Sequence, residues 1–380
     1  MDSAISPNSS PTVSVIIPAR NEEANLDRCL RSLVLQNGIP FEILIVDDAS
    51  TDRTRTIAES FTHARECPFL ALNRDLIEVR VIDAPQPLPE KWTGKANALV
   101  VGEKAARGEW LLFTDADTEH LEGSLAAAVV EAARHKADLL SYSPEQVLAG
   151  IRQQLIMPVI FGELALQYSP RRVSDPALPD AAANGQYLLV RAKVHRRIGG
   201  FASVAAELLD DVALARRYKQ QGRTIRFRLG RGLVRTRMYN SWDELRLGWI
   251  KNLALLFPNP REVAKRRARE FNRLLFSLIL APCWTLFYLS HRNASGDWFL
   301  PAMISLFWFI TLTNAAVFYT RVAHAHFPFV PTLLSIFGLR PFANLLRASA
   351  KAHEEGSVTW RGRAYNTVGA AAHPAASNPK

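Results

Sequence analysis

Two acidic residues, separated by one other residue, follow an apolar segment in the first third of the chain. The segment 110–113 (WLLF) comes after a glycine, and Thr114 separates it from Asp115 and Asp117. Such a run is typical of a buried strand in a parallel sheet. Ligands of open α/β sheets bind beyond the carboxyl ends of the strands, so both carboxylates are expected to face a cleft. Oxygen ligands without Cys or His nearby suit Mg²⁺ or Mn²⁺, which usually bind together with substrate phosphates.

An Asp-x-Asp pair also occurs in loops whose acids are simply solvated, so its surroundings decide between the two interpretations. Apolar runs at residues 12–18, 41–46 and 78–82 predict three earlier strands, and a helical segment precedes the next strand each time. This alternation predicts βαβ units with right-handed crossovers and a mainly parallel sheet, and therefore an α/β fold class.

Polar residues stand where the first two of these strands end. Arg20 and Glu22 follow the first strand, and Asp47 and Asp48 follow the second. Because the carboxyl ends of parallel strands meet at one edge of a sheet, these side chains are expected to lie beside the Asp-x-Asp pair. Such an edge predicts a nucleotide-type site, where acids accept hydrogen bonds from base or ribose and hold a metal ion.

Two local predictions concern the end of the first strand. Pro18 is expected to stop the strand, because proline has no backbone N–H for the sheet. Asn21 is expected to cap the helix that follows, since its short side chain can accept a hydrogen bond from the first helical turn.

The overall composition favours an anionic partner. The chain has 380 residues, a formal net charge of +10 and a pI of about 9.7, which suits a phosphorylated substrate, an anionic lipid or nucleic acid. Its three cysteines are widely spaced, which indicates neither a disulfide framework nor a metal-binding cluster and favours a reducing compartment. Residues 1–11 are polar, lack the apolar core of a signal peptide, and are expected to be disordered.

The common glycine motifs that bind phosphate are missing from the expected places. No G-x-G-x-x-G follows the first strand, and the chain has no P-loop. We therefore expect a metal ion to hold the diphosphate, with Lys95 as an additional cation.

Four motifs in order resemble the family-2 glycosyltransferases, which have the GT-A fold. They are VSVIIPARNEE at 13–23, VDDASTD at 46–52, WTGK at 92–95 and TDAD at 114–117, and the resemblance extends to about residue 255. Within that family the chain is most similar to a membrane-associated branch that includes hopanoid-associated and carotenoid-acid glycosyltransferases. The residues that support this closer match are ANGQY at 183–187, IGGF at 198–201, RMY at 237–239 and GWIKN at 248–252.

The resemblance implies a nucleotide-sugar donor, usually linked to UDP, and a site for it. The residues that match the family's donor contacts are Pro18, Arg20, Glu22, Asp47, Asp48, Lys95 and Asp115. Asp117 becomes the more direct metal ligand of the Asp-x-Asp pair, with Asp115 as the second. The Mg²⁺ or Mn²⁺ ion would offset the charge that develops on the departing diphosphate.

The resemblance also implies a general base. Asp210 and Asp211 precede an apolar residue and Leu-Ala, and Asp211 falls on the family's catalytic aspartate, whereas Asp210 replaces a glutamate. A carboxylate at a helix N-terminus stays ionised and can take the proton of an acceptor hydroxyl in one direct displacement, which inverts the anomeric carbon. Simple helix capping by these two acids is the alternative interpretation.

Three residues are assigned to the acceptor or sugar side of the site. They are Gln186, Trp249 and Arg361, and the last belongs to a segment that resembles the family's Trp-Lys-Gly-Arg-x-Tyr ending. Trp249 stacks on a sugar ring in one interpretation and only packs in the other. The Gln-x-x-Arg-Trp motif of processive members is missing, so transfer of a single sugar is expected.

The last third of the chain predicts a membrane anchor. Residues 274–290 and 298–320 lack charge and form a predicted transmembrane hairpin, while the proline-containing stretch 327–342 predicts an interfacial or re-entrant segment. Basic residues on both flanks of the hairpin place those flanks in the cytosol. The resulting expectation is a bacterial-type inner-membrane protein with a cytosolic catalytic domain and a multi-pass C-terminal anchor.

The predicted domain limits follow from these segments. They are a GT-A domain at 12–255 with a nucleotide-sugar half at 12–140 and an acceptor half at 141–255, a basic juxtamembrane linker at 256–273, a membrane region at 274–346 and a cytosolic tail at 347–380. Residues 151–168 form a predicted helix that lies either in the membrane interface or, with equal weight, against the protein core.

The leading hypothesis is a metal-dependent, inverting hexosyltransferase that moves one sugar from a nucleotide donor to a lipid-like acceptor. A nucleotidyltransferase could also use an Asp-x-Asp pair, but its glycine-rich loop is missing. A membrane scaffold with a degenerate, nucleotide-binding transferase domain is the alternative outside the enzyme class. Nucleic acid is not an expected partner, because the basic residues concentrate beside the apolar segments.

Overall fold

The computed structural model describes residues 11–62, 77–290, 298–360 and 363–365. The chain divides into two compact units. The first is built from Met1–Val147 and Tyr168–Met238, and the second from Leu148–Gln167 and Tyr239–Ser377. Arg361, assigned above to the acceptor side, lies outside the described residues.

The first unit contains a seven-stranded sheet in the order β3-β2-β1-β4-β8-β6-β9 and a smaller sheet in the order β5-β10-β7. In the large sheet, β8 alone runs antiparallel to its neighbours. The mainly parallel α/β sheet predicted from the sequence is therefore confirmed. The strands are β1 Val13–Ala19, β2 Phe41–Asp47, β3 Ile77–Asp83, β4 Trp110–Phe113, β5 Thr118–His120, β6 Leu139–Ser143, β7 Glu145–Gln146, β8 Leu188–Arg191, β9 Ile225–Leu229 and β10 Val234–Thr236.

Helices follow most of these strands. In the first unit they are α1 Leu26–Val34, α2 Thr54–Ser60, α3 Gly94–Ala105, α4 Ser124–Arg134, α6 Pro170–Ser174, α7 Ala192–Arg197 and α8 Asp210–Gln220. In the second unit they are α5 Gly150–Gln167, α9 Trp242–Leu256, α10 Pro260–Ser290, α11 Phe299–Ala323, α12 Phe329–Leu334 and α13 Leu339–Glu354, with the strands β11 Val358–Trp360 and β12 Arg363–Tyr365.

The large sheet is buried on both faces, as its continuous apolar strands predict. Val15 and Ile17 of β1 belong to one hydrophobic cluster together with α1 and α4, whereas Ile16 belongs to the cluster on the opposite face with α3 and α8. Gly102 lets α3 lie close to β1, because a Cβ there would be 2.4 Å from the Cγ2 atom of Ile16. This packing fixes the direction of α3, whose first turn carries Lys95.

Both local predictions about the end of β1 are wrong. The strand continues through Pro18 to Ala19. The carbonyl of Ile16 accepts from the N–H of Thr114 after β4, and that of Ala19 accepts from the N–H of Asp48 after β2. Because the backbone of a strand alternates in direction, Pro18 faces the β4 side, beyond Ile16, the last residue paired with β4. Its missing N–H therefore costs no sheet hydrogen bond. Asn21 has a positive φ of 53° and does not cap α1, whose N-cap is Asn25.

The second unit contains the apolar helices. Among the described residues, three stretches are long and apolar enough to cross a membrane, namely Pro260–Ser290, Phe299–Ala323 and Phe329–Glu354. The basic segment predicted as a linker is helical from Pro260 onward and continuous with the first apolar stretch. The third stretch, predicted to be interfacial or re-entrant, consists of α12, a 3₁₀ turn at Ser335–Gly338 and α13.

Helix α5 is packed within the second unit. Its buried residues include Gln153, Ile156, Val159 and Glu163. Gly162 permits a close approach to α11, since a Cβ there would be 3.1 Å from the Cα atom of Val322. These contacts support the core-facing interpretation of this helix.

Four charged side chains form a buried cluster where three helices of the second unit meet, and we call it the charge quartet. Its members are Glu163 of α5, Arg267 and Glu270 of α10, and Arg321 of α11. Each arginine contacts both glutamates at 2.7–2.9 Å, and the side chains are between 7% and 17% exposed. The quartet has two positive and two negative charges. Its residues on α10 come just before the apolar part of that helix, and its residue on α11 comes just after the apolar part of α11.

Candidate active site

The strand ends of β1, β2 and β4 meet at one edge of the large sheet, as expected from their parallel order. The predicted donor contacts Asp47 and Asp48 are both buried there. The Asp47 carboxylate accepts a hydrogen bond from the backbone N–H of Ser50 at 3.2 Å, and the Asp48 carboxylate accepts one from the Gln86 amide at 3.0 Å. Backbone and side-chain donors thus hold both acids in place.

Arg20 joins the two loops that follow β1 and β2. Its guanidinium donates to the backbone carbonyl oxygens of Asp48 and Ala49. Glu22 is tied to the same region, because its N–H donates to the Thr54 hydroxyl at 2.7 Å. Pro18, the remaining predicted contact on β1, is partly exposed at the strand end. These contacts hold the first two donor motifs together. Arg20 contributes by donating hydrogen bonds to the backbone of the loop that follows β2.

Lys95 connects α3 to the Asp-x-Asp pair. Thr93 caps α3 by accepting from the N–H of Ala96 at 3.1 Å, which places Lys95 in the first helical turn. The Lys95 ammonium lies 2.7 Å from Oδ1 of Asp115. Although burial opposes its charge, the negative charges of Asp115, Asp210 and Asp211 raise the pKa of Lys95, so it is a permanent cation.

Asp117 lies beside Gln186, the residue after the Gly185 turn. The Gln186 amide donates to Oδ1 of Asp117 at 3.4 Å and to the Thr236 hydroxyl at 3.1 Å. Burial, together with the negative charges of Asp115 and Glu22, raises the pKa of Asp117 to about 7. Gln186 was predicted on the sugar side, and its amide is engaged in holding the second carboxylate of the Asp-x-Asp pair.

Asp211 stands in the first turn of α8 with a fixed carboxylate. Its Oδ2 accepts from the N–H of Gly185 at 2.8 Å, and its Oδ1 accepts from the N–H of Val212 at 2.8 Å. Burial and the neighbouring charge of Asp210 raise the pKa of Asp211 to about 6. The carboxylate of Asp210, the first residue of α8, accepts from the N–H of the adjacent Asp211 at 2.9 Å. The two acids therefore have different surroundings, and the contact with Gly185 goes beyond local capping.

Gly185 is the point where Lys95 and Asp211 meet, and its role was not predicted. A Cβ added to Gly185 would lie 3.3 Å from the Lys95 ammonium nitrogen and 3.4 Å from Oδ2 of Asp211. The two charged groups therefore lie no farther apart than the sum of these distances. The only signal in the sequence was the position of this glycine inside the ANGQY motif, next to Gln186.

A buried histidine contacts the residue before the Asp-x-Asp pair, and the sequence analysis did not predict its role. His120 of β5 is 2% exposed, and its Nε2 lies 3.1 Å from the hydroxyl of Thr114. That hydroxyl in turn donates to the carbonyl oxygen of Gln186 at 2.8 Å. Burial lowers the pKa of His120 to about 3, so its ring is neutral and does not compete with a cation for the acids.

Trp249 lies in the second unit and is 3% exposed. Its ring centroid is 6.0 Å from that of Phe161 and 6.4 Å from that of Tyr239, both in the same unit. These contacts support the packing interpretation of this residue. Its predicted stacking on a sugar ring would require the indole to become exposed.

The residues present fit a divalent cation at Asp117. In the described part of the chain, no group of three or more His, Cys, Asp and Glu side chains is arranged as a metal site. Two carboxylates are nevertheless enough for Mg²⁺, which keeps waters and binds substrate phosphates as further ligands. The Asp117 carboxylate accepts hydrogen bonds from the neutral Gln186 amide and the Thr118 hydroxyl, both at the long distance of 3.4 Å. A cation would therefore relieve the repulsion that raises the pKa of Asp117.

Comparison with known proteins gives one family match. Residues 14–156 match the model of the family described as Glycosyl transferase family 2. The matched segment contains the first four motifs of the site, from β1 to the Asp-x-Asp pair. The predicted resemblance to this family is thereby confirmed.

Relatives and solved structures share limited identity with the chain. The 4,4'-diaponeurosporenoate glycosyltransferase of Staphylococcus aureus (strain MRSA252) is 24% identical over 361 residues, covering 93% of this chain and 88% of the relative. The mannosyltransferase PcManGT from Pyrobaculum calidifontis, solved with GDP-Man and Mn²⁺, is 18% identical, with a TM-score of 0.48 over 92% of this chain and 89% of the other. Residues 1–349 of S. aureus TarS, solved with UDP-GlcNAc, are 15% identical, with a TM-score of 0.43 over 88% and 91%.

Proposed function

From the premise that residues 14–156 form a domain of glycosyl transferase family 2, we propose that this chain moves one sugar from a nucleotide donor to a lipid-like acceptor. One observation carries the proposal. The Asp211 carboxylate and the Lys95 ammonium meet at Gly185, and the Asp115 carboxylate contacts the same ammonium, although the three come from distant parts of the chain. This arrangement provides a base and a cation beside an Asp-x-Asp pair.

The donor binds at the sheet edge formed by β1, β2 and β4. Asp47 and Asp48 accept hydrogen bonds from the base and ribose, and the resemblance to the family makes uracil the expected base. Asp117 would hold a Mg²⁺ or Mn²⁺ ion, with Asp115 as second ligand, and the ion would supply Lewis-acid stabilisation of the departing diphosphate. Lys95 adds a fixed positive charge on the same side of the site.

Asp211 is the proposed general base. A pKa raised to about 6 leaves the carboxylate ionised at neutral pH and makes it a better proton acceptor than an exposed aspartate. The N–H groups of Gly185 and Val212 orient it toward the space beside Lys95. It takes the proton from the acceptor oxygen while that oxygen attacks the anomeric carbon and the bond to the diphosphate breaks. A single displacement of this kind inverts the configuration.

A lipid-like acceptor is supported by two independent features. The S. aureus relative is named for glycosylating 4,4'-diaponeurosporenoate. The described part of the chain has three helices long and apolar enough to cross a membrane, and α10 and α11 expose large apolar side chains such as Phe276, Leu286 and Phe309. We infer that the protein is anchored in a membrane, with the first unit in the cytosol.

The test uses the full chain in detergent with a panel of UDP-sugars and membrane lipid extract. Wild-type protein should release UDP from one donor only when Mn²⁺ or Mg²⁺ is present, and mass spectrometry should find the sugar on a lipid. Asp211→Asn should abolish release while leaving UDP binding unchanged, because it removes the base but no donor contact. Asp243→Asn is the matched control, since Asp243 also lies in the first turn of a helix.

Each outcome discriminates between the hypotheses. A protein that binds UDP but turns over no donor, with Asp211→Asn behaving like wild type, would support the scaffold alternative. Release of pyrophosphate in place of UDP would indicate a nucleotidyltransferase. Either result would refute sugar transfer.

A further inference from the structure

Five exposed arginines lie on two neighbouring helices of the second unit, and we call them the arginine band. Arg266, Arg269 and Arg273 recur at helical spacing on α10, so they share one face of that helix. Arg340 and Arg347 are two turns apart on α13 and therefore also share a face. All five are exposed.

Two contacts between α10 and α13 show that the two groups of arginines lie on neighbouring helices at the same level. The Arg340 guanidinium donates to the Asn272 side chain at 3.3 Å, next to Arg273. At the other end of the two helices, Arg261 pairs with Glu354. The helices are therefore antiparallel, and Arg347 lies between these two points, level with the first turns of the α10 row.

The acidic residues of these two helices are already paired with other basic residues. Glu262 pairs with Lys265, Glu354 pairs with Arg261, and Glu270 belongs to the charge quartet. Across the described residues, no carboxylate lies in ion-pair contact with any member of the arginine band. The charge of Glu262 reaches Arg266 and Arg269, but one carboxylate cannot balance five arginines, so the band keeps a net positive charge.

An apolar surface begins directly after the band along α10. Leu275, Phe276, Ile279, Leu286 and Phe287 are exposed, with Phe276 64% and Leu286 66% exposed. Seventeen residues from position 274 to 290 span about 25 Å as a helix, which approaches the thickness of the hydrocarbon core. The change from arginine to apolar side chains within one helical turn therefore marks the level of the lipid headgroups.

We propose that the arginine band binds the phosphate groups of anionic membrane phospholipids. Guanidinium groups suit this ligand because they donate two parallel hydrogen bonds to phosphate oxygens, and a lipid held there would keep its chains against the apolar part of α10. A basic residue at such a surface contributes about fivefold in affinity for anionic lipid. The proposal rests on the membrane anchoring inferred above but not on sugar transfer.

The experiment measures lipid binding by the full chain in neutral detergent, without donor or acceptor. Native mass spectrometry counts bound phosphatidylglycerol and phosphatidylcholine, and thermal unfolding is recorded with each lipid added. Wild type should bind phosphatidylglycerol preferentially and be stabilised by it. The variant Arg266→Gln/Arg269→Gln/Arg273→Gln should lose about fivefold in phosphatidylglycerol affinity for each substitution and lose the stabilisation.

Controls separate the band from total charge and from folding. Arg134→Gln/Arg197→Gln/Arg231→Gln removes the same charge from exposed positions of the first unit and should bind lipid like wild type. Lysine at the three α10 positions keeps the charge and should retain most of the preference. Arg340→Gln/Arg347→Gln tests the band from α13. If the α10 variant does not fold, this second variant still tests the proposal.

Three results would overturn the proposal. The first is equal binding of the two lipids by wild type, and the second is unchanged lipid preference in both band variants. The third is full stabilisation by inorganic phosphate alone, which would identify a free anion as the ligand. Because no sugar transfer is measured, none of these results depends on the catalytic proposal.

Discussion

The charge quartet is expected to be the most sensitive polar cluster of the second unit. In Glu163→Gln, the amide nitrogen that replaces one carboxylate oxygen cannot accept from an arginine. Glu163 contacts Arg267 at 2.9 and 3.0 Å and Arg321 at 2.8 Å, so one substitution weakens both ion pairs. Both arginines stay buried, and Glu270 alone then balances their two positive charges.

The expected loss follows from this burial. Removing one partner of a buried ion pair typically costs about 3–5 kcal/mol, because the remaining charge is left without compensation. The matched control is Glu354→Gln, which removes the same group from an ion pair that is more than half exposed on both sides. Exposed pairs contribute only about 0–1 kcal/mol. Both substitutions remove one negative charge from the second unit, so they differ mainly in burial.

Thermal unfolding in neutral detergent measures the difference. A shift of roughly 2–4 °C per kcal/mol predicts a decrease of roughly 6–20 °C for Glu163→Gln and at most a few degrees for Glu354→Gln. The double variant Glu163→Gln/Arg321→Gln should lose less than the sum of the two single losses, because it removes charges in pairs. Equal shifts for Glu163→Gln and Glu354→Gln, or strict additivity in the double variant, would refute the reasoning.

Three further predictions concern the candidate site. Gly185→Ala should reduce turnover strongly while leaving the unfolding temperature nearly unchanged, because its Cβ enters the space between Lys95 and Asp211; wild-type turnover would contradict this convergence. Turnover should fall as the pH drops through about 6, because Asp211 loses its charge there, and a profile that is flat down to pH 5 would exclude Asp211 as the base. Chelation with EDTA should abolish turnover and weaken UDP binding but not uridine binding, as measured by calorimetry, since only the diphosphate needs the cation; equal UDP affinity with and without metal would contradict a cation at Asp117.

The strands and the sheet edge could be predicted because short apolar runs report burial directly. The four strands from β1 to β4 all appear as such runs, and the polar residues after them identify the edge where the site lies. The two wrong predictions, on the end of β1 and the cap of α1, concern features that depend on neighbouring chain segments. Pro18 remains in β1 because β4 is too short to pair with it, and Asn21 adopts a positive φ instead of capping α1.

Contacts between distant residues account for what the sequence could not show. Gly185 matters because Lys95 and Asp211, which are far apart in the sequence, approach it from two sides. The members of the charge quartet looked like isolated interruptions of apolar segments or parts of a basic run, and only helix packing brings them together. The burial of Trp249 likewise depends on Phe161 and Tyr239, which no local pattern connects to it.

The charges at the site link donor binding to a cation. The Lys95 ammonium contacts Asp115 and also interacts with Asp117, Asp210 and Asp211, so four carboxylates share one lysine. A nucleoside diphosphate that enters this edge adds further negative charge next to them, at a place where burial strengthens repulsion. Under the proposed function, a divalent ion at Asp117 would offset this negative charge, whereas a neutral nucleoside would need no such ion. The same surroundings raise the pKa of Asp211, so the proposed base and the proposed need for a cation would have one electrostatic cause.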